Sequence, residues 1–110
     1  MHLTDYQAKA IQTYKVQDHH TPVERLARLT LGLCGESGEL AEKVKKIMRG
    51  DKELGACHAD LEKEIGDVLW YCAVLSYELI TNLDRVAAIN LDKLSDRDSR
   101  GVIKGSGDDR

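Results

Sequence analysis

An apolar stripe that repeats every seven residues does most to limit what this chain can become. Leu26, Leu33, Leu40 and Ile47 recur at that spacing, and Leu29 and Val44 extend the same face. The stripe keeps its phase through "LGLCGESGELAEKVKK", although Gly32, Gly35 and Gly38 interrupt it. A mid-helix glycine costs about 1 kcal/mol relative to alanine, so three of them would ordinarily suggest a loop. A loop has no reason to hold a helical period, however, and the pattern predicts one long helix over about Val23 to Arg49. Thr21, Pro22 and Glu24 supply a capping box with proline at the first helical position. Gly50 follows Lys45, Lys46 and Arg49 as a C-terminal cap.

The rest of the chain divides in the same way. Thr4 and Gln7 read as a capping box for a first helix carrying Leu3, Tyr6, Ala10 and Tyr14, and "QDHHTP" breaks it. "GDKELGACHAD" reads as a polar linker. Asp60 then caps a third helix with Leu61, Ile65, Val68, Leu69, Cys72, Leu75 and Leu79. Asn82 caps a fourth with Leu83, Val86, Asn90 and Leu94. No strand alternation and no internal repeat is present. The expected fold is all-α, an antiparallel arrangement like a four-helix bundle. It forms a single domain over residues 1–97, followed by a Gly/Arg-rich tail over 98–110.

Composition narrows the function. With 110 residues, no Phe and one Trp, the core is modest, and a helical chain this short is expected to complete it by oligomerising. A net charge of -3 argues against binding a nucleic-acid polymer, which calls for a basic surface. Cys34, Cys57 and Cys72 have no CxxC or Cys/His ligand spacing and read as free thiols in a reducing cytosol. No signal peptide is visible at the start. The longest uncharged run, near "VLWYCAVLSY", is about ten residues against the roughly 20 that span a bilayer. A cytoplasmic location without membrane contact is expected.

The chemistry lies in two acid pairs. Glu36 and Glu39 are three apart and share a helix face, as do Glu64 and Asp67 in "EKEIGDVLWY". Two antiparallel helices could turn all four carboxylates into one cleft. There they would repel each other unless cations were present. Oxygen donors without sulfur or imidazole suit Mg²⁺ or Mn²⁺. A di-iron site would want Glu-x-x-His, and no glutamate here has a histidine three residues later. Gly35, Gly38 and Gly66 flank the acids without side chains, leaving room for hydrated metal and substrate or letting helices approach. Tyr71 shares the face of Asp67. Lys43 follows Glu39 by one turn and reads as its i,i+4 partner, with a phosphate contact as the alternative. In "NLDKLSDR", Asn90, Lys93 and Arg97 share one face of the fourth helix.

"GESGELAEKVKK" followed by "LEKEIGDVLWYCAVLS" resembles the MazG-type nucleoside triphosphate pyrophosphohydrolases, over roughly Leu26 to Arg110. The family pattern is ExxE on one helix and ExxD on the next. The resemblance implies that Glu36, Glu39, Glu64 and Asp67 bind Mg²⁺, with Mn²⁺ as a substitute. It implies hydrolysis of a (deoxy)nucleoside triphosphate between the α and β phosphates. A carboxylate not fully spent on metal can take the water's proton, and Glu39, in the middle of the first motif, is our choice of catalytic base. The resemblance also makes Tyr71, Asn90, Lys93 and Arg97 substrate-binding residues. "RGVIKGSGDDR" looks like the end of small, often phage-type, members, which adds Lys104 and Arg110 as phosphate contacts. The implied assembly is a homodimer or homotetramer. Two departures stand out: Gly35 replaces the first of a double glutamate, and Asp60 stands where some members place a lysine. The dUTPase-like and phosphoribosyl-ATP pyrophosphohydrolase branches share the acid pattern. A catalytically silent helical binding module is the alternative from another class.

Overall fold

The computed structural model describes residues 1–16 and 18–110. Gln17, which opens the expected break after the first helix, lies outside the described residues. The chain forms α1 (Leu3–Ile11), α2 (Pro22–Met48), α3 (Leu54–Glu78) and α4 (Leu83–Ser99), with no strand among the described residues. The all-α expectation holds. Among the described residues, no helix is long and apolar enough to cross a membrane.

α2 runs unbroken through its three glycines. Thr21 Oγ1 accepts a hydrogen bond from the Glu24 amide at 3.2 Å, and Pro22 opens the helix. At the other end Gly50 takes φ +84°, which lets the Asp51 amide donate to Lys46 O and the Gly50 amide to Ile47 O, both at 3.0 Å. Leu29 is buried, and Leu26, Leu33, Leu40 and Ile47 are half-buried, while Val44 stays exposed. The stripe packs against α3, which runs antiparallel to α2.

α3 starts earlier than the sequence suggests. The linker ends at Glu53, and Asp60 lies within the helix, 3.9 Å from Lys63 instead of capping. His58, expected in a loop, is also helical and pairs with Glu62 at 3.1 Å. The reason is burial: extending the helix back to Leu54 places Cys57 inside, at 6% exposure, and an apolar contact outweighs the weak start at Glu53.

α3 is the hub. It touches α1, α2 and α4, whereas α2 and α4 do not meet. The arrangement is therefore open: its radius of gyration is 16.8 Å, against about 13 Å for a compact domain of this length. Ala10, Ala73 and Leu83 form a small core, with Tyr6, Trp70 and Cys72 packed around it. Trp70 donates from Nε1 to Thr13 Oγ1 at 2.8 Å. Gln7 is not a capping residue. It is buried, donates to Ala73 O at 3.1 Å and Thr81 O at 3.3 Å, and accepts from the Leu83 amide at 3.0 Å. α1 is begun instead by His2, whose amide donates to Asp5 Oδ2 at 3.2 Å. On the far side of α3, Glu78 takes Arg25 Nε on both oxygens (3.1 and 3.0 Å) and the Tyr14 hydroxyl at 2.7 Å.

The end of α3 repeats the motif at Gly50 with the wrong residue. Ile80 takes φ +58°, and the Thr81 amide reaches back to Ser76 O at 2.9 Å. A left-handed conformation costs an L-residue about 1–2 kcal/mol, more when it is β-branched. The Ile80 side chain is 94% exposed, so little packing offsets that cost. Ile80→Gly should therefore raise stability by about 1 kcal/mol after the added freedom of the unfolded chain is subtracted. Thermal unfolding monitored at 222 nm should show a midpoint several degrees higher. An unchanged or lower midpoint would mean that the isoleucine makes a contact outside this fold.

Candidate metal centre

α2 and α3 bring three of the four acids together. One carboxylate oxygen from each of Glu36, Glu64 and Asp67 lies within 4.8 Å of the others. Glu39, one turn further along α2, is exposed and outside that group. Glu64 is buried at 6% exposure, Glu36 is half-buried and Asp67 is exposed, so the cluster opens to solvent on one side. Glu64 Oε1 meets Lys43 Nζ at 2.7 Å. Among the described residues, Glu64 Oε2 is buried and has no hydrogen-bond partner. Lys43 thus pairs across the helices with Glu64, and the expected same-helix pair with Glu39 does not form. The cross-helix partner is the more buried of the two carboxylates, and a buried charge without a counter-charge is the costlier state.

A buried carboxylate oxygen with no donor suits a cation. The three donors are hard oxygens at a solvent-facing edge, a set that suits Mg²⁺ or Mn²⁺. Glu36 shows the strain in the cluster: partial burial first, then the negative charges of Glu39, Asp67 and Glu64, push its carboxyl above the ordinary glutamate range. The folded chain therefore holds that proton to a higher pH than the unfolded chain does. Stability present at low pH is lost as pH rises from the unfolded value through the raised folded one. In EDTA this contribution to the midpoint of unfolding should be lost on raising pH from about 4 toward neutrality, and Mg²⁺ should recover it by binding the ionised cluster. Glu36→Gln should flatten this pH dependence, and a wild-type profile in that variant would place the titration elsewhere.

Tyr71 adjoins this edge, one turn beyond Asp67. Its ring lies against Gly32 of α2, so that a Cβ built there would collide with the ring edge and hydroxyl. The seat of the Tyr71 ring accounts for this one glycine. Gly35, Gly38 and Gly66 are different: a Cβ at any of them would meet nothing within 4 Å. Of the two reasons expected for Gly35, Gly38 and Gly66, close helix approach does not apply, since all three face open space.

The cationic residues form a second group, on α4 and the tail. Arg97 is buried at 4% exposure, and its Nη2 donates to Asp108 O at 2.7 Å and Gly107 O at 3.3 Å. Lys93 Nζ lies 3.0 Å from Asp108 Oδ1, and Arg97 Nη2 lies 3.4 Å from the same oxygen. These two cations, hydrogen-bonded to Asp108, hold its carboxyl below the usual range. Arg110 turns inward and donates to Val102 O, Gly107 O and Ile103 O at 3.0, 2.6 and 2.9 Å, fastening the tail as a compact loop. Asn90 and Lys104 are exposed. Sequence reasoning did not find Asp108, because a tail without periodicity gives no register from which to infer its partners.

Comparison with known proteins agrees with the geometry. The MazG nucleotide pyrophosphohydrolase domain matches residues 24–102, a span that includes all four acids, Lys43, Tyr71, Lys93 and Arg97. The Gene 37 protein of Mycobacterium phage L5 is 45% identical over 115 aligned positions, covering 100% of each chain. No solved structure matches.

Proposed function

The chain belongs to the MazG nucleotide pyrophosphohydrolase family, and from that premise we propose that it hydrolyses (deoxy)nucleoside triphosphates to the monophosphate and pyrophosphate in a Mg²⁺-dependent reaction. The observation that carries this reading is the cluster of Glu36, Glu64 and Asp67, in which Glu64 is buried and, among the described residues, keeps one oxygen without a hydrogen-bond partner. Glu36, Glu64 and Asp67 would hold the metal. When bound, Mg²⁺ polarises a phosphoryl group and lowers the pKa of an attacking water. Glu39, exposed beside the cluster, would take the water's proton. Tyr71 offers a ring edge for the base or sugar. Asn90, Lys93, Arg97 and Lys104 would orient the polyphosphate and balance its charge, with Asp108 yielding Lys93 and Arg97 to it. Arg110 would act by shaping the tail.

In this reading the working domain is residues 1–97 of a cytoplasmic enzyme that acts on free nucleotides. The open frame leaves Leu31, Met48 and Leu91 more than half exposed, at 71%, 82% and 64%. A homodimer or homotetramer would cover such surface, and light scattering should give one of those masses.

The test is product analysis with the common NTPs and dNTPs, in Mg²⁺ and in EDTA. Pyrophosphate released only with Mg²⁺ is the expected result. Orthophosphate as the product would refute the α–β cleavage. Turnover confined to dUTP or phosphoribosyl-ATP would move the chain to those branches of the superfamily. Silence with all of them would favour a binding module.

A further inference from the structure

Lys43 has two carboxylates within its reach and takes the less expected one. Its Nζ crosses from α2 to Glu64 on α3. Its side chain is 38% exposed, whereas that of Glu64 is 8% exposed. The stem is therefore anchored at the rim of the site and the ammonium points inward. One ammonium cannot neutralise the cluster. It satisfies a single oxygen, leaves Glu64 Oε2 without a donor, and leaves Glu36 still crowded by negative charge. An arginine at this position could grip both oxygens with its planar fork. Lysine is instead a compact point charge on a flexible four-carbon stem, well hydrated when released.

We propose that Lys43 is a displaceable counter-ion: it stands in at Glu64 while no divalent cation is present, and when one binds it turns outward to a phosphate oxygen of the substrate. A divalent cation at Glu64 would repel an ammonium 2.7 Å from the same carboxylate, and the exposed rim gives the stem somewhere to go. In the swung-out position the ammonium lies on the solvent side of the acids, where a polyphosphate would approach. The second half of this proposal rests on the pyrophosphohydrolase reading. The first half, competition for Glu64, does not.

The test separates the two. Mn²⁺ binding to the full chain is measured by calorimetry for wild type, Lys43→Met and Lys43→Arg, without nucleotide. Methionine keeps much of the stem and removes the competing charge, so Mn²⁺ should bind about tenfold tighter, the size of effect that one pKa unit of differential interaction carries. The same variant should also unfold at a lower temperature in EDTA. Arginine keeps the charge and can grip both Glu64 oxygens, so Mn²⁺ should bind several-fold more weakly, which keeps the question answerable should the methionine variant fail to fold. Mn²⁺ affinity that is unchanged or weaker in Lys43→Met, or unchanged or tighter in Lys43→Arg, would overturn the displacement. For the substrate half, inorganic tripolyphosphate in the presence of Mn²⁺ should bind Lys43→Met several-fold more weakly than wild type. Equal binding would overturn that half. Because neither readout needs turnover, a chain that hydrolyses no nucleotide would refute the proposed function and leave the Lys43 result legible.

Discussion

Asp67→Asn should lower Mg²⁺-dependent pyrophosphate release by a factor on the order of 10³ at fixed, subsaturating Mg²⁺. The carboxylate is exposed and projects into the three-acid cluster from α3. The amide has nearly the same shape, so helical content should not change. What is lost is one of three anionic donors. A bound cation supplies several kcal/mol of transition-state charge stabilisation, and about 4 kcal/mol corresponds to that factor. Glu39→Gln tests a different role. Glu39 lies outside the cluster, so its loss should remove general-base assistance, typically 10²- to 10⁴-fold, while Mn²⁺ affinity stays near the wild-type value. Raising Mg²⁺ should therefore restore part of the activity of Asp67→Asn and none of that of Glu39→Gln. Full activity in either variant would remove that residue from the site.

The largest stability effect is expected at Gln7. This one amide ties α1 to the end of α3 and the start of α4 through Ala73 O, Thr81 O and the Leu83 amide. Gln7→Ala removes all three bonds in a buried position. An unsatisfied buried backbone group costs about 1–3 kcal/mol, and the vacated volume adds to it. A loss of roughly 3 kcal/mol is expected in urea unfolding, a large share of the 5–15 kcal/mol that holds a small domain together. Gln7→Met separates the causes, since it refills most of the volume without restoring a bond. It should remain nearly as unstable as the alanine variant, and recovery to wild type would show that packing, not hydrogen bonding, holds the junction.

The residues that could be read from the sequence are those whose partners lie one or two turns away. The stripe on α2 survives its glycines because period is a property of the whole helix. Thr21–Pro22 and Asn82 cap as their types predict; the Asn82 side chain accepts from the Arg85 amide at 2.9 Å. Three of the four acids could be found because ExxE and ExxD place carboxylates on one face and a short connection brings two such faces together, while Glu39 stays outside the cluster. What could not be read depends on contacts across the fold. Gln7 looks like any polar residue on a short helix until α3 and α4 close over it. Asp60 has a capping side chain, yet the helix runs past it because Cys57 gains burial upstream. Lys43 had an acid at the right local spacing, and the acid it uses is on another helix. Arg110 looks like a free tail charge, and its donors are taken by three carbonyls of the tail itself.

Gly35, Gly38 and Gly66 lie in helices, yet a methyl group at any of them would touch nothing within 4 Å. Judged on the folded chain alone, each is an obvious alanine, worth about 1 kcal/mol in helix propensity. An engineer seeking a hardier version of this protein would choose these positions first, and a stability screen would reward the choice. Under the proposed function, the room these glycines leave beside the acids would be taken by metal and substrate, so the alanines that improve the resting molecule are the ones to check first for lost turnover.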